Sequence, residues 1–230
     1  MGVFAGPDII EDGLLMAVDA ANVKSYPGSG TTFFDLSANG HNSTDFLNMT
    51  SSNWTGESFN FNGINEEIKF NQVTTNTNSF SVECWANWDV VGNGKVPFGQ
   101  GGFFRFYYST SAYLTFWVRE AGGGATSTVT EPVPNVSAGQ WYQLVGTCQG
   151  GSGGSQKIYS NGVLRNSKSI TFNVETGVGV TDNMRLGNAF NNAGSQFDGK
   201  VAIARVYDKV LTDEEIKQNF EAVKGRFGTL

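Results

Sequence analysis

Residues Asp198–Ile216 read DGKVAIARVYDKVLTDEEI, a strand-like apolar run that ends in a knot of acidic side chains. Two readings compete for those acids: a catalytic carboxylate pair, or the first turn of a helix. The spacing predicts the helix. Thr212 is an N-cap residue and Glu215 lies three positions later, the two halves of a capping box. Leu211 and Ile216 flank the cap as a hydrophobic staple, and Asp213, Glu214 and Glu215 fall where the helix dipole favours negative charge. Ile216, Phe220 and Val223 then share one face, and Gly225 stands as a C-terminal stop between Lys224 and Arg226. The helix therefore runs over about 212–224. A catalytic pair would need carboxylates about 5–10 Å apart across a cleft, and each acid here already has a structural task.

Working outward, the remaining apolar runs are short and recur roughly every ten residues. LLMAVDA, TTFFDL, SFNFNG, EEIKF, FSVECWANW, FFRFYYS, YLTFWVRE, WYQLVGTC, KIYSNGVL and KVAIARVY are separated by Gly, Asn and Ser clusters. That pattern predicts an all-β fold, a two-sheet antiparallel jelly-roll sandwich with one short C-terminal helix. Asn161-Gly162 supplies the positive φ angles of a tight hairpin. GGSGG, Gly150 to Gly154, has linker composition, but it separates two strands that need each other and reads as a hairpin loop. Residues 1–11 form an N-terminal arm, and 12–230 a single domain.

Composition bounds the function. The 230 residues are 39% hydrophobic, with 18 Phe, 7 Tyr and 5 Trp, enough for one extended core. A net charge of −6 argues against nucleic acid, whose phosphates demand clustered Lys and Arg. No stretch approaches the length of a membrane span. MGVFAGPDIIEDG lacks the basic and apolar regions of a signal peptide. Without export, the sequons at Asn42, Asn48, Asn53 and Asn135 follow from an Asn- and Thr-rich composition. Cys84 and Cys148 lie in apolar runs and read as reduced, buried thiols.

With these pieces assembled, the chain resembles the LamG-like jelly roll of the concanavalin A-like lectin/glucanase superfamily. The resemblance rests on DGLLMAVDAAN, FDLSANGHN, SFNFNGINEEIKF, FSVECWANW, WYQLVGT, KIYSNGVL and FDGKVAIARVYDKVLTDEEI, in family order over nearly the whole chain. GPDIIEDGL, KSYPGSGTTFFDLSANG and QNFEAVKGRFG further resemble LamG-like proteins of tailed phages, especially marine ones. This narrower resemblance implies a virion component, a capsid decoration or a tail or fibre module assembled in the host cytoplasm. Its partners would be other virion proteins, further copies of itself, and a cell-surface glycan. The alternative is a stand-alone carbohydrate-binding module, and more remotely a glucanase.

The chemistry speaks against the glucanase. Retaining glucanases of this fold carry two Glu flanking an Asp on alternate positions of one strand, whereas FSVECWANWD offers Glu83 alone. Glu66 and Glu67 are adjacent, so on a strand they face opposite sides. His41 is the only histidine. Relatives often hold a structural Ca²⁺, for which Asp19, Asp35, Asn39 and Asp198 are the candidate ligands; the competing reading makes them turn caps. Ala202 stands where many relatives have a further Asp, which weakens the metal reading.

Strand alternation marks out a binding face instead. It separates Glu83, Trp85 and Asn87 from Phe80, Val82 and Cys84, and Phe103, Arg105 and Tyr107 from Phe104, Phe106 and Tyr108. It likewise sets Tyr113, Trp117 and Arg119 apart from Leu114, Phe116 and Val118. If these strands are neighbours, the first set makes one polar–aromatic face, fit for a glycan or for a subunit interface.

Overall fold

The computed structural model describes residues 7–92, 94–109, 113–132, 136–178, 182–189 and 194–228. The sequon at Asn135 and the first six residues of the N-terminal arm lie outside them. The chain forms two antiparallel seven-stranded sheets and one short helix. Its strands are β1 (Leu14–Asp19), β2 (Ser43–Leu47), β3 (Phe59–Asn62), β4 (Glu67–Phe70), β5 (Ser79–Trp88), β6 (Phe98–Gln100) and β7 (Phe104–Tyr108). They continue with β8 (Leu114–Arg119), β9 (Thr126–Thr130), β10 (Trp141–Gln149), β11 (Gly154–Ser160), β12 (Val163–Ile170), β13 (Met184–Leu186) and β14 (Asp198–Tyr207). Sheet I has the order β1-β14-β5-β10-β11-β12, with β3 also paired to β14. Sheet II has the order β2-β4-β13-β6-β7-β8-β9.

Strand alternation explains the sandwich. Phe80, Val82, Cys84, Ala86 and Trp88 of β5 face inward and meet Phe104, Phe106, Phe116 and Val118 of β7 and β8 in one continuous core. Aromatic pairs lock it, such as Phe80 on Phe103 at 4.7 Å and Phe106 on Phe116 at 5.3 Å. Cys84 and Cys148 are free and buried. Burial pushes the Cys148 thiol up to about 12 and the Cys84 thiol, beside Glu83, well above its ordinary value, so neither is a nucleophile at neutral pH.

The helix α1 spans Asp213–Val223 and starts as its spacing predicts. Thr212 Oγ1 accepts from Glu215 N at 3.2 Å, while Glu215 Oε2 accepts from Thr212 N at 2.9 Å. Its end differs from expectation. The backbone tightens into a 3-10 turn over Lys224–Arg226, and Gly225, inside that turn, is not a left-handed cap. Thr212→Ala should cost about 1 kcal/mol of stability, the usual worth of an N-cap, read from urea unfolding; an unchanged midpoint would deny the cap its role.

The hairpin between β11 and β12 turns on Asn161 (φ 52°) and Gly162 (φ 74°), as predicted. TTFFDL, by contrast, is not a strand. It seals the free edge of β1 with side chains. Asp35 Oδ1 accepts from Ala17 N at 2.9 Å, Leu36 N donates to Ala17 O at 2.8 Å, and Ser37 Oγ and Asn39 Nδ2 donate to Leu15 O. Phe33 of the same stretch is buried in the core. A carboxylate thus occupies the place of a partner strand's carbonyl, one way to blunt a sheet edge. Among the described residues no helix is long and apolar enough to cross a membrane.

Candidate functional site

The two outer faces of the sandwich have different fates, and this divides the face anticipated from alternation. β5 pairs with β10 and β14, not with β7 or β8. Glu83, Trp85 and Asn87 therefore line the outer face of sheet I, while Arg105, Tyr107, Trp117 and Arg119 line the outer face of sheet II. The single combined face does not form, because the strands that carry its halves lie in opposite sheets.

On sheet I the face is closed. Trp85, 0% exposed, stacks between Phe220 at 5.7 Å and Phe227 at 4.3 Å, and Phe227 also meets Trp141 at 4.8 Å. Beneath the helix lies Glu83, also 0% exposed. Its Oε1 accepts from Arg205 Nη1 at 2.9 Å, Gln143 Nε2 at 3.0 Å and Trp85 Nε1 at 3.3 Å. Its Oε2 accepts from Asn219 Nδ2 at 2.9 Å. Burial alone would lower the Arg205 pKa, but Glu83, with Tyr207 and Asp19, more than offsets this and raises it. Asn219 also accepts from Ile10 N at 2.8 Å, so the N-terminal segment is fastened over the same face. Glu83 is a structural ion-pair partner with no route to a substrate. Asn87 is buried near Trp141, its register partner on β10.

Sheet II keeps an aromatic surface. Register places Asp45, Lys69, Arg185, Gly99, Arg105, Trp117 and Thr128 in one row across all seven strands. At about 4.8 Å per strand the row is roughly 29 Å long, but Arg185 and Gly99 in its middle are buried, so only its ends reach the surface. In its second half the Arg105 guanidinium lies 4.5 Å from the Trp117 ring centroid and 5.2 Å from that of Tyr107. Partial burial lowers the Arg105 pKa, opposed by Tyr107, and a guanidinium still stays charged at neutral pH. Arg119 follows Trp117 on the same face, and its Nη2 donates to Gly123 O at 3.2 Å. Tyr113 stands just before β8, its carbonyl accepting from Ser109 N at 2.9 Å.

In the first half of the row Glu67 is shared between Arg185 at 3.2 Å and Lys69 at 3.3 Å. Gly99 must be glycine, because a Cβ there would lie 2.8 Å from Arg105 Cβ and 3.0 Å from Ala189 Cβ. Lys69 and Arg185 were missed from sequence. Lys69 alternates visibly within EEIKF, but the three residues of β13 are too few to show a period.

Three of the four oxygen-bearing residues proposed for calcium have other work. Asp19 grips Arg226 Nη1 through both oxygens, at 2.7 and 2.9 Å, and Asp35 accepts from Ala17, Ser37 and His41 backbone N–H groups. Asn39 donates through Nδ2 to Leu14 O and Leu15 O. Asp198 begins β14, five residues before Ile203, the register partner of Asp19, which separates the two by about 16 Å along the strand. Among the described residues no three His, Cys, Asp or Glu side chains gather in a metal-binding group.

A laminin G-type family model, described as the concanavalin A-like lectin/glucanases superfamily, matches residues 61–217. No curated protein matches by sequence. Among solved structures, domain 4 of AbnA, a GH43 extracellular arabinanase from Geobacillus stearothermophilus in complex with arabinotriose, superposes with a TM-score of 0.65 at 16% identity. That match covers 92% of this chain and 100% of the domain. The binding domain of Paraclostridial Mosquitocidal Protein 1 superposes with a TM-score of 0.63 at 14% identity, over 91% of this chain and 52% of that one. A botulinum neurotoxin type C structure, whose cell entry depends on two ganglioside molecules, gives 0.63 at 14% identity over 93% and 52%. The chain thus spans about half the length of both toxin chains, and at these identities the likeness is one of fold.

Proposed function

Since the chain belongs to the concanavalin A-like lectin/glucanase superfamily, we propose that it is a non-catalytic binding module that holds a glycan on the outer face of sheet II. The observation that carries this reading is the Trp117–Arg105–Tyr107 stack. It holds flat rings rigidly at a half-buried surface, beside the Arg and Thr groups that could bond to sugar hydroxyls. The arabinotriose bound to the arabinanase domain is a precedent for a glycan on this fold. The non-catalytic part is supported by Glu83, which is buried among four hydrogen-bond donors. Incubation with laminarin or agarose should release no reducing ends above a buffer control.

The same proposal places the module on a phage particle, as a capsid decoration or a tail or fibre component. Its support is the resemblance of three stretches to tailed-phage proteins, of which the first and last meet over sheet I while the middle one seals the edge of β1. Gln218 bonds to Asp8 O, Asn219 to Ile10 N, and the 24–40 loop seals β1 nearby. Mass spectrometry of purified particles, with copy number, tests this part.

Trp117→Ala tests the platform. The variant should still fold, with a melting temperature lowered by no more than about 5 °C, because Trp117 is half-buried on the outer face and lies outside the core. Binding on a glycan array should fall about 30-fold, the loss of a 2 kcal/mol hot spot. A variant that folds and binds glycans normally but no longer joins particles would make the patch a subunit interface.

A further inference from the structure

A cleft of about 650 Å³ opens over β1, on the outer side of sheet I and away from the Trp117 surface. Its size falls in the range of small-molecule sites, about 300–1,000 Å³. Ala17 and its register partner on β14, Arg205, lie at its floor, and Leu14, Leu36 and Val223 supply apolar walls. Arg205 is 3% exposed and gives Nη1 to Glu83, but among the described residues no acceptor takes its Nε or Nη2. A buried guanidinium with donors to spare therefore faces the open space.

The two ends of the cleft carry opposite charges. Glu11 stands just before β1, its carbonyl accepting from Leu14 N at 3.0 Å. Lys24 stands beyond the far end of β1, where Asn22 N donates to Asp19 O and Asn22 Oδ1 accepts from Lys24 N. Both side chains are exposed, and among the described residues neither forms an ion pair. Asp19 does not balance Lys24, because Arg226 already takes both of its oxygens. From Leu14 to Asp19 the strand covers about 16 Å. Its edge is closed by Asp35, Leu36 and Ser37, so no incoming strand can pair with it there.

We infer that the cleft holds a short zwitterionic peptide with aliphatic side chains, its ammonium at Glu11 and its carboxylate at Lys24. A neutral sugar would leave both end charges unanswered, and a single amino acid is too short to meet them together. An extended tripeptide covers about 10 Å, which leaves the two flexible side chains to close on its ends. Between the ends, the spare donors of Arg205 meet a peptide carbonyl, a charge-assisted bond that replaces the missing strand pairing. Aliphatic side chains of the peptide rest on Leu14, Leu36 and Val223. The site is independent of the Trp117 platform, which lies on the opposite sheet.

The test uses the full chain with isotope-labelled methyl groups and the peptide Ala-Leu-Ala in four forms: free, N-acetylated, C-amidated and blocked at both ends. The free peptide should shift the methyl signals of Ala17, Leu36 and Val223. Each single block should weaken binding about tenfold, the scale of one lost charge-assisted contact. Glu11→Gln should weaken the free peptide by a similar factor and leave the N-acetylated form unchanged. Lys24→Gln should do the same and leave the C-amidated form unchanged. Both residues are exposed, so neither change threatens the fold. Trp117→Ala should alter none of these affinities. A doubly blocked peptide that binds as tightly as the free one overturns the inference, and so does the absence of any shift at the cleft methyls. Shifts produced by galactose but by no peptide would make the cleft a second sugar site and overturn it as well, leaving the Trp117 platform standing.

Discussion

Trp85→Ala is expected to lower stability by about 3–5 kcal/mol, the usual loss for a fully buried tryptophan. For a domain of this size that is a drop in melting temperature of roughly 6–20 °C. The ring is the filling between Phe220 and Phe227, nearly parallel to the first at 2°. Removing it leaves a cavity between sheet I and the helix, and loosens α1 from its seat. Near-UV circular dichroism should report the lost stack together with the melt. A variant that melts like wild type would mean that the helix does not cover this face in solution.

Glu83→Gln should cost a similar amount, about 3–5 kcal/mol, because it strands a buried guanidinium. The amide that replaces the carboxylate brings its own N–H donors into a pocket already supplied with donors by Arg205, Gln143, Trp85 and Asn219. One oxygen cannot serve four of them. Adding Arg205→Met should recover part of the loss, since the uncompensated charge goes with it. Urea unfolding of both single variants and the double variant closes the cycle. Near-additive losses would show that the two side chains do not act as a pair.

Much of this architecture is visible in the sequence where the signal is local. Thr212 and Glu215 announce the helix start, Asn161-Gly162 the hairpin, and alternation within β5, β7 and β8 sorts inner from outer side chains, except that Phe103, sent outward by the same pattern, precedes β7 and lies in the core against Phe80. What alternation cannot carry is the identity of a strand's neighbours. Trp85 and Trp117 both alternate away from the core, yet one is sealed under a helix and the other stands on the opposite sheet. Length limits the signal as well: β6 and β13 have three residues each, below the span at which a period of two can be recognised. TTFFDL fails for a different reason. Its composition suits a strand, but the carboxylate of Asp35 takes over the pairing and the backbone need not extend.

The bonds from Ile10 N to Asn219 and from Gln218 to Asp8 O hold the start of the described chain against α1, and Phe227 on Trp85 keeps its far end on the same helix-covered surface. Anything joined at either end is thus anchored behind sheet I, with the thickness of the sandwich between it and Trp117. The module has a built-in direction, like a lamp fixed by its base. A longer tether would extend its reach without turning the Trp117 side back toward the support, and many copies on one scaffold would all look outward. Weak single contacts could then add up across a crowded surface, so the strength of attachment would depend on how densely the copies are mounted.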